Sequence, residues 1–179
     1  WAVGETQVVK WTCPEGVELE GLLTRPPGAT GATPLIVMPH GGPDDVTRQA
    51  FSSQTLLFAS HGYAVFRPNY RGGTAYGFDF YAANRNRFGE IEQMDIESGV
   101  DMLVAKGYAD PAKLYFGGWS WGGYITAWTI GHVQRYKAAV VGAGVNDAAY
   151  SYVSSDINHG VGAQWEYKGD PWRQTEHFD

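Results

Sequence analysis

The stretch YFGGWSWGGYITAW, residues 115–128, places a single serine, Ser120, among four glycines and between two tryptophans. An apolar run precedes this serine and a run of helical length follows it, which predicts a strand, a sharp turn and a helix. Glycines two positions before and after the serine would let the strand and the helix approach closely. Gly117 and Gly123 would add space and conformational freedom beside the turn. We therefore interpret the stretch as a nucleophile elbow. The alternative is a serine N-cap on a glycine-rich turn.

A second glycine motif, PHGGP at residues 39–43, directly follows the apolar run LIVMP. Acyl transfer needs two fixed N–H donors for the oxyanion that forms on the substrate. The residue after the nucleophile, Trp121, would provide one donor, and Gly42 would provide the other, with Gly41 as the alternative. A plain Gly-Pro turn is the competing interpretation. We expect His40 to hold this loop rather than to act as a base, because it precedes the serine.

The order of elements predicts an α/β protein. Two strands (residues 6–12 and 17–24) form an antiparallel pair, and strands and helices alternate after them. Further strands are predicted at 35–39, 63–68, 113–118 and 137–145, and helices at 47–61, 90–106 and 121–132. This alternation is typical of a mostly parallel sheet covered by helices on both faces. The strand at 137–145 is predicted to be buried. The segment from residue 146 onwards has a weaker pattern.

Composition and charge exclude several classes of function. The net charge is −6 without a basic stripe, which disfavours nucleic acid and membrane surfaces as partners. No apolar run reaches the length of a membrane span, and no targeting segment is visible, which leaves the compartment undecided. The single cysteine, Cys13, and five scattered histidines give no metal-ligand pattern. We expect neither a metal nor another cofactor.

Charged residues elsewhere have simpler expected roles. We expect Asp95, Glu97 and Asp101 to form a solvated helix face. Glu90 and Glu92 would complement the dipole at the start of the same helix. The NRNR run at 84–87 is interpreted as a solvated loop, with attraction of a substrate carboxylate as the alternative.

Four stretches together resemble the catalytic domain of the prolyl oligopeptidase family of serine peptidases. They are PLIVMPHGGP, NYRGGTAYG, DIESGVDMLVAKGYADPAKLYFGGWSWGGYITAW and SSDI followed by QWEYKGDPW. The resemblance is strongest to the acylaminoacyl-peptidase and dipeptidyl-peptidase branch. It implies an α/β-hydrolase fold and hydrolysis of short peptides through an acyl-enzyme on Ser120, with Trp121 and Gly42 as oxyanion donors. It also implies that Val145 and Tyr150 help to line the specificity pocket.

The resemblance also implies a catalytic triad whose acid and base do not fit this sequence. The family places its aspartate and histidine after two further strands, and a β-propeller before the catalytic domain. We therefore expect residues 1–179 to be one α/β-hydrolase domain, truncated after the sixth strand, with the propeller upstream. The acids and histidines to consider within the chain are Asp147, Asp156, Asp170, His132, His159 and His177.

Three of these candidates, His132, Asp156 and His159, can be judged from their positions in the sequence. His132 would lie about 18 Å from Ser120, at the far end of the elbow helix. Asp156 with His159 keeps the required order, although neither follows a recognisable strand. Besides a peptidase, the same residues are compatible with a carboxylesterase or with an inactive hydrolase-like binding protein. The oligomeric state is not predicted.

Overall fold

The computed structural model describes residues 4–155. Its six strands are β1 (Glu5–Thr12), β2 (Glu18–Arg25), β3 (Thr33–Val37), β4 (Ala64–Asn69), β5 (Ala109–Trp119) and β6 (Tyr136–Gly142). Its five helices are α1 (Ser53–Ser60), α2 (Phe78–Ala82), α3 (Glu90–Ala105), α4 (Trp121–His132) and α5 (Ala148–Ser154). No helix in the described part of the chain is long and apolar enough to span a membrane.

All six strands form one mixed sheet in the order β1-β2-β4-β3-β5-β6. The pairs β1–β2 and β2–β4 are antiparallel. The pairs β4–β3, β3–β5 and β5–β6 are parallel. The carboxyl ends of β3 and β5 therefore lie side by side at one edge of the sheet. This is the edge where open α/β sheets carry their binding sites.

Helices cover both faces of this sheet, as the sequence predicts. On one face, Phe66 of β4 packs in a core cluster with Ile96 of α3 and Ile125 of α4. The side chain of the next residue, Arg67, points the other way and borders a groove together with Phe58 of α1. Successive strand residues alternate between faces, so α1 lies on the face opposite α3 and α4.

Two predictions about helices were wrong. The helix predicted at 47–61 begins at Ser53, after Ser52 caps it by accepting the Thr55 N–H at 3.2 Å. The repeat of Phe51 and Phe58 that extended the prediction is not a buried stripe, since Phe51 is 84% exposed. The short helix α2 lies in a segment predicted as a loop.

The last strand is shorter and more exposed than predicted. It was expected to be buried over residues 137–145, but β6 ends at Gly142 and its Val140 is 71% exposed. Among residues 4–155, β6 pairs with β5 alone and forms an edge of the sheet. Among these residues no further strand pairs with β6 on its outer side, and its side chains are exposed for this reason.

The acidic face predicted for α3 is only partly solvated. Asp95 is fully buried and accepts the Arg71 guanidinium through both of its oxygens. Glu97 accepts from Arg135, which also contacts the exposed Asp101. The prediction was wrong for Asp95 because a buried arginine, distant in sequence, compensates its charge.

Candidate active site

Ser120 occupies the turn between β5 and α4 in a conformation that few residues other than glycine adopt. Its backbone has φ 58° and ψ −121°. The Ser120 N–H donates to the Gly142 carbonyl at 2.9 Å, which holds the turn against the end of β6. The hydroxyl makes no capping hydrogen bond to α4. Ser120 thus stands at the N-cap position of α4 without capping the helix through its side chain, which disfavours the N-cap alternative, and the strained turn presents a hydroxyl that its own helix does not use.

The glycines around Ser120 are required by close backbone contacts. A methyl group on Gly118 would lie 2.4 Å from the Gly122 carbonyl oxygen, and one on Gly122 would lie 2.6 Å from the Pro39 oxygen. On Gly123 it would lie 2.3 Å from the Gly142 oxygen, whereas on Gly117 its nearest neighbour would be 3.4 Å away. Close packing thus requires a glycine at position 123, where the sequence suggested only extra freedom. Of these four glycines, Gly117 alone has room for a methyl group.

The PHGGP loop passes directly beside the serine. A methyl group on Gly41 would lie 3.9 Å from Ser120 Oγ, so the Gly41 backbone borders the Ser120 hydroxyl. Gly42 has φ +121°, and its own methyl group would meet the Asp44 backbone nitrogen at 2.4 Å. A side chain at position 42 would therefore be strained and would clash with the backbone of the same loop. The choice of Gly42 over Gly41 as the second oxyanion donor remains a prediction.

His40 and Tyr70 hold this loop by hydrogen bonds and by stacking of their rings. The His40 Nδ1–H donates to the Gly41 carbonyl at 2.7 Å, and the two rings stack with centroids 4.2 Å apart. The Tyr70 hydroxyl donates to the His40 carbonyl at 2.7 Å. Burial lowers the pKa of His40, which keeps the imidazole neutral at neutral pH. These contacts agree with a loop-holding role for His40.

Trp121, on the other side of the serine, is anchored by a buried carboxyl group. Its indole Nε1–H donates to Glu92 Oε1 at 3.2 Å. The same oxygen accepts from Asn84 Nδ2 at 2.9 Å, and Glu92 Oε2 accepts the Gly89 N–H at 2.8 Å. Burial raises the pKa of Glu92 to about 7, although these hydrogen bonds oppose the shift. Sequence reasoning missed Glu92 and Asn84 as parts of the site.

The described residues do not complete a triad at Ser120. His132 ends α4, stacks on Trp128 and donates from Nδ1 to the Trp128 carbonyl. Asp147 caps α5 by accepting the Tyr150 N–H at 2.7 Å. The candidates Asp156, Asp170, His159 and His177 lie outside the described residues.

The predicted pocket residues follow β6. Val145 is partly buried, and Tyr150 on α5 is 67% exposed. Their role in substrate binding remains a prediction. A groove of about 890 Å³ lies on the α1 face and is bordered by Tyr63, Tyr115 and Trp119. Its lining includes neither Ser120 nor the two predicted pocket residues.

Other candidate binding groups in the described region have structural partners. Asn84 of the NRNR run is buried, and Arg87 pairs with Glu15 and Glu90. Residues 4–155 contain no cluster of three or more His, Cys, Asp or Glu side chains that could hold a metal ion.

The sequence model of the prolyl oligopeptidase family matches residues 49–179. The chain belongs to the prolyl oligopeptidase family. An uncharacterized peptidase of Bacillus subtilis is 32% identical over 171 residues, which cover 94% of this chain and 26% of that protein. The chain therefore spans about a quarter of the length of this relative.

Solved structures of the prolyl oligopeptidase family agree with the fold. The Pyrococcus horikoshii acylaminoacyl peptidase superposes with a TM-score of 0.88 at 29% identity, covering 98% of this chain and 28% of that chain. An acylaminoacyl peptidase in complex with Z-Gly-Gly-Phe-chloromethyl ketone gives 0.86 at 28% identity, with the same coverage. These matches confirm the α/β-hydrolase fold and a parent family of serine peptidases.

Proposed function

We propose that this chain carries the nucleophile and the oxyanion donors of a serine peptidase that cleaves short peptides through an acyl-enzyme. The observation that supports this proposal best is the conformation of Ser120. A strained turn, three close-packed glycines (Gly118, Gly122 and Gly123) and the Gly41 backbone surround a hydroxyl that does not cap its own helix. Strain of this kind persists where function needs it.

In the proposed reaction, Ser120 Oγ attacks the peptide carbonyl carbon while its proton passes to a histidine base. The tetrahedral oxyanion accepts hydrogen bonds from the Trp121 N–H and from Gly42 or Gly41. Collapse of this intermediate breaks the C–N bond, and the departing amine takes the proton. Water then hydrolyses the acyl–Oγ ester by the same steps. In this proposal the base and its orienting carboxylate come from outside residues 4–155.

The proposed substrate class is short peptides, with Val145 and Tyr150 lining the pocket for the side chain next to the cleaved bond. Support comes from the structural relative whose complex contains a peptide chloromethyl ketone. The net charge of −6 does not favour nucleic acid as a partner. A carboxylesterase of the same fold and an inactive binding protein are the alternatives, because the fold does not determine the leaving group.

The test uses the complete natural protein that contains this sequence. A fluorophosphonate probe is added, and peptide mass spectrometry locates the modified residue. Hydrolysis of N-acetyl-phenylalanine p-nitroanilide is then compared with hydrolysis of p-nitrophenyl butyrate. Labelling of Ser120 together with anilide cleavage is expected. Ester cleavage without anilide cleavage would favour the esterase, and absence of both labelling and hydrolysis would favour the inactive scaffold.

Replacing Gly122 by alanine is expected to lower kcat by about 10²–10³-fold, comparable to the loss of one oxyanion donor. The added methyl group would lie 2.6 Å from the Pro39 oxygen and 3.1 Å from the His40 oxygen, and would push the PHGGP loop away from α4. The measurement is steady-state hydrolysis of the anilide or, for an esterase, the butyrate ester.

The matched control for this substitution lies on the same helix. A methyl group on Gly131 of α4 meets no atom within 4 Å. Gly131→Ala should therefore leave kcat unchanged and raise the unfolding free energy by up to about 1 kcal/mol through helix propensity. Equal effects of the two substitutions on kcat would contradict the steric explanation.

A further inference from the structure

Glu92 is an unusual residue to find behind a nucleophile. Its carboxyl group is fully buried, whereas Glu90, two residues earlier, pairs with Arg87 at the surface. Capping α3 needs only one acceptor for the Gly89 N–H, and Glu92 Oε2 provides it. The other oxygen, Oε1, points towards α4 and accepts from the Trp121 indole and from Asn84. Capping of α3 explains one oxygen of this group and leaves the other to be explained.

Glu92 also links the residues that hold the PHGGP loop to the residue that holds Trp121. The segment 69–73 contributes Tyr70, which holds the His40 carbonyl. The same segment contributes Gly72, where an added methyl group would overlap Asn84 at 2.2 Å from Nδ2. Asn84 in turn donates to Glu92. Hydrogen bonds and close packing thus run from the PHGGP loop, through this segment, to Glu92 and Trp121.

We propose that Glu92 is a positioning residue: its ionised carboxylate fixes Trp121 through the indole and thereby aligns the Trp121 backbone N–H with the oxyanion. This inference rests on the proposed function of Ser120 and Trp121. Glu92 touches neither the substrate nor the serine, and it acts through Trp121. Its effect belongs to the transition state, where the oxyanion forms, and should therefore appear in kcat rather than in KM.

The surroundings of Glu92 favour its ionised form locally. All three hydrogen-bond partners are donors, and a protonated carboxyl group would turn its O–H towards one of them. Burial opposes ionisation, and the pKa is about 7 as a result. The titratable group that faces it from the segment after β4 is Tyr70, whose own pKa is raised by burial and by the Glu92 charge. From α4 it faces the indole, and one turn along α3 lies Asp95, which is paired with Arg71.

The sign of the pH effect follows from this shift. The pKa of Glu92 is higher in the folded state than the usual value of 4.5. Its contribution to stability is therefore present below pH 4.5 and lost as the pH rises towards 7. The form that would hold Trp121 is the ionised one, which costs stability at neutral pH. Activity and stability should respond to this group in opposite directions.

The main experiment measures kcat and KM against pH for Glu92→Gln, Trp121→Phe and the double variant in the complete protein. Glutamine keeps the shape but does not titrate and presents an N–H group to one of the donors. Each single variant should lower kcat about 10-fold, with KM changed less than 2-fold. Glu92→Gln should also remove one of two ionisations near neutral pH and leave the one that belongs to the histidine base. The double variant should be no worse than the single ones, because both break the same contact.

A matched control is available between the same two helices. Trp128 Nε1 donates to Gln93 Oε1 at 2.9 Å, two helical turns further from Ser120. Gln93→Leu and Trp128→Phe should leave kcat and its pH profile unchanged, although they remove a hydrogen bond between the same two helices. If the Glu92 and Trp121 variants likewise change only stability, the inference is overturned.

A second readout does not depend on turnover. With ¹⁵N-tryptophan labelling, the indole N–H signal of Trp121 is identified by its loss in Trp121→Phe. That signal should titrate near pH 7 in the parent protein and stay constant in Glu92→Gln. A signal that is independent of pH would overturn the ionised-carboxylate mechanism. Retained hydrolysis in Ser120→Ala would instead defeat the proposed function, so that the two failures are distinguishable.

Discussion

Replacing Ser120 by alanine is expected to lower kcat/KM for the anilide substrate by about 10⁴-fold or more, with fluorophosphonate labelling at this site lost. The reason is that the proposed acyl-enzyme is an ester of Ser120 Oγ, and alanine has no oxygen that could replace it. The protein should remain folded, since the Ser120 hydroxyl caps no helix. Hydrolysis that survives this substitution would refute the assignment of the nucleophile.

A control serine shows the opposite behaviour. Ser52 caps α1 by accepting the Thr55 N–H. Ser52→Ala should therefore cost about 1 kcal/mol of unfolding free energy and leave hydrolysis intact. Ser120→Gly should be as inactive as the alanine variant. Its unfolding free energy should exceed that of the parent protein by about 1 kcal/mol, because glycine tolerates φ 58°. Lost activity with gained stability would mark Ser120 as a residue kept for function.

Sequence reasoning was most successful where the determinants are local. Strand, turn and helix around Ser120 follow each other within 14 residues, and the glycines identify the turn. The close contacts of Gly118 and Gly122 agree with the expectation that small residues let β5 and α4 approach. The PHGGP loop could be placed beside this turn because two neighbouring parallel strands end at the same edge.

The buried acids of α3 were missed because their partners are distant in sequence. Asp95 binds Arg71, 24 residues away, and Glu92 accepts from Trp121, 29 residues away. One local signal was available. Glu92 lies four residues before Ile96, seven before Gly99 and eleven before Leu103, which places it on the apolar stripe of the helix. An acid on such a stripe indicates a buried polar contact rather than a solvated face.

The burial of β6 and of Asn84 depends on contacts with residues that are distant in sequence. A run such as KAAVV predicts a buried strand from composition alone, whereas its real burial depends on what packs on each side. The same holds for Asn84, whose NRNR context suggests solvent. The Asn84 side chain is buried because Gly72 leaves space for it and Glu92 accepts its N–H.

The Arg71–Asp95 pair joins the segment after β4 to the middle of α3. Asp95 has no exposed side-chain surface and accepts Arg71 Nε at 2.9 Å, an Arg71 terminal nitrogen at 2.7 Å and the Arg71 backbone N–H at 2.9 Å. The hydrogen bonds that Arg71 donates to Asp95 and Glu15 raise the pKa of Arg71 despite burial. Both charges are compensated only while both partners are present.

Asp95→Ala is therefore expected to lower the unfolding free energy by about 3–5 kcal/mol, because it leaves the Arg71 charge buried with Glu15 as its remaining partner. Chemical denaturation of the complete protein measures this loss. Lys10→Ala is the control, since Lys10 is 77% exposed and lies 3.7 Å from Glu20; its cost should stay within about 1 kcal/mol. The double variant Arg71→Met with Asp95→Leu should recover much of the loss, because no unpaired charge is then buried. If Asp95→Ala costs no more than Lys10→Ala, the pair does not anchor the segment that carries Tyr70 and Gly72.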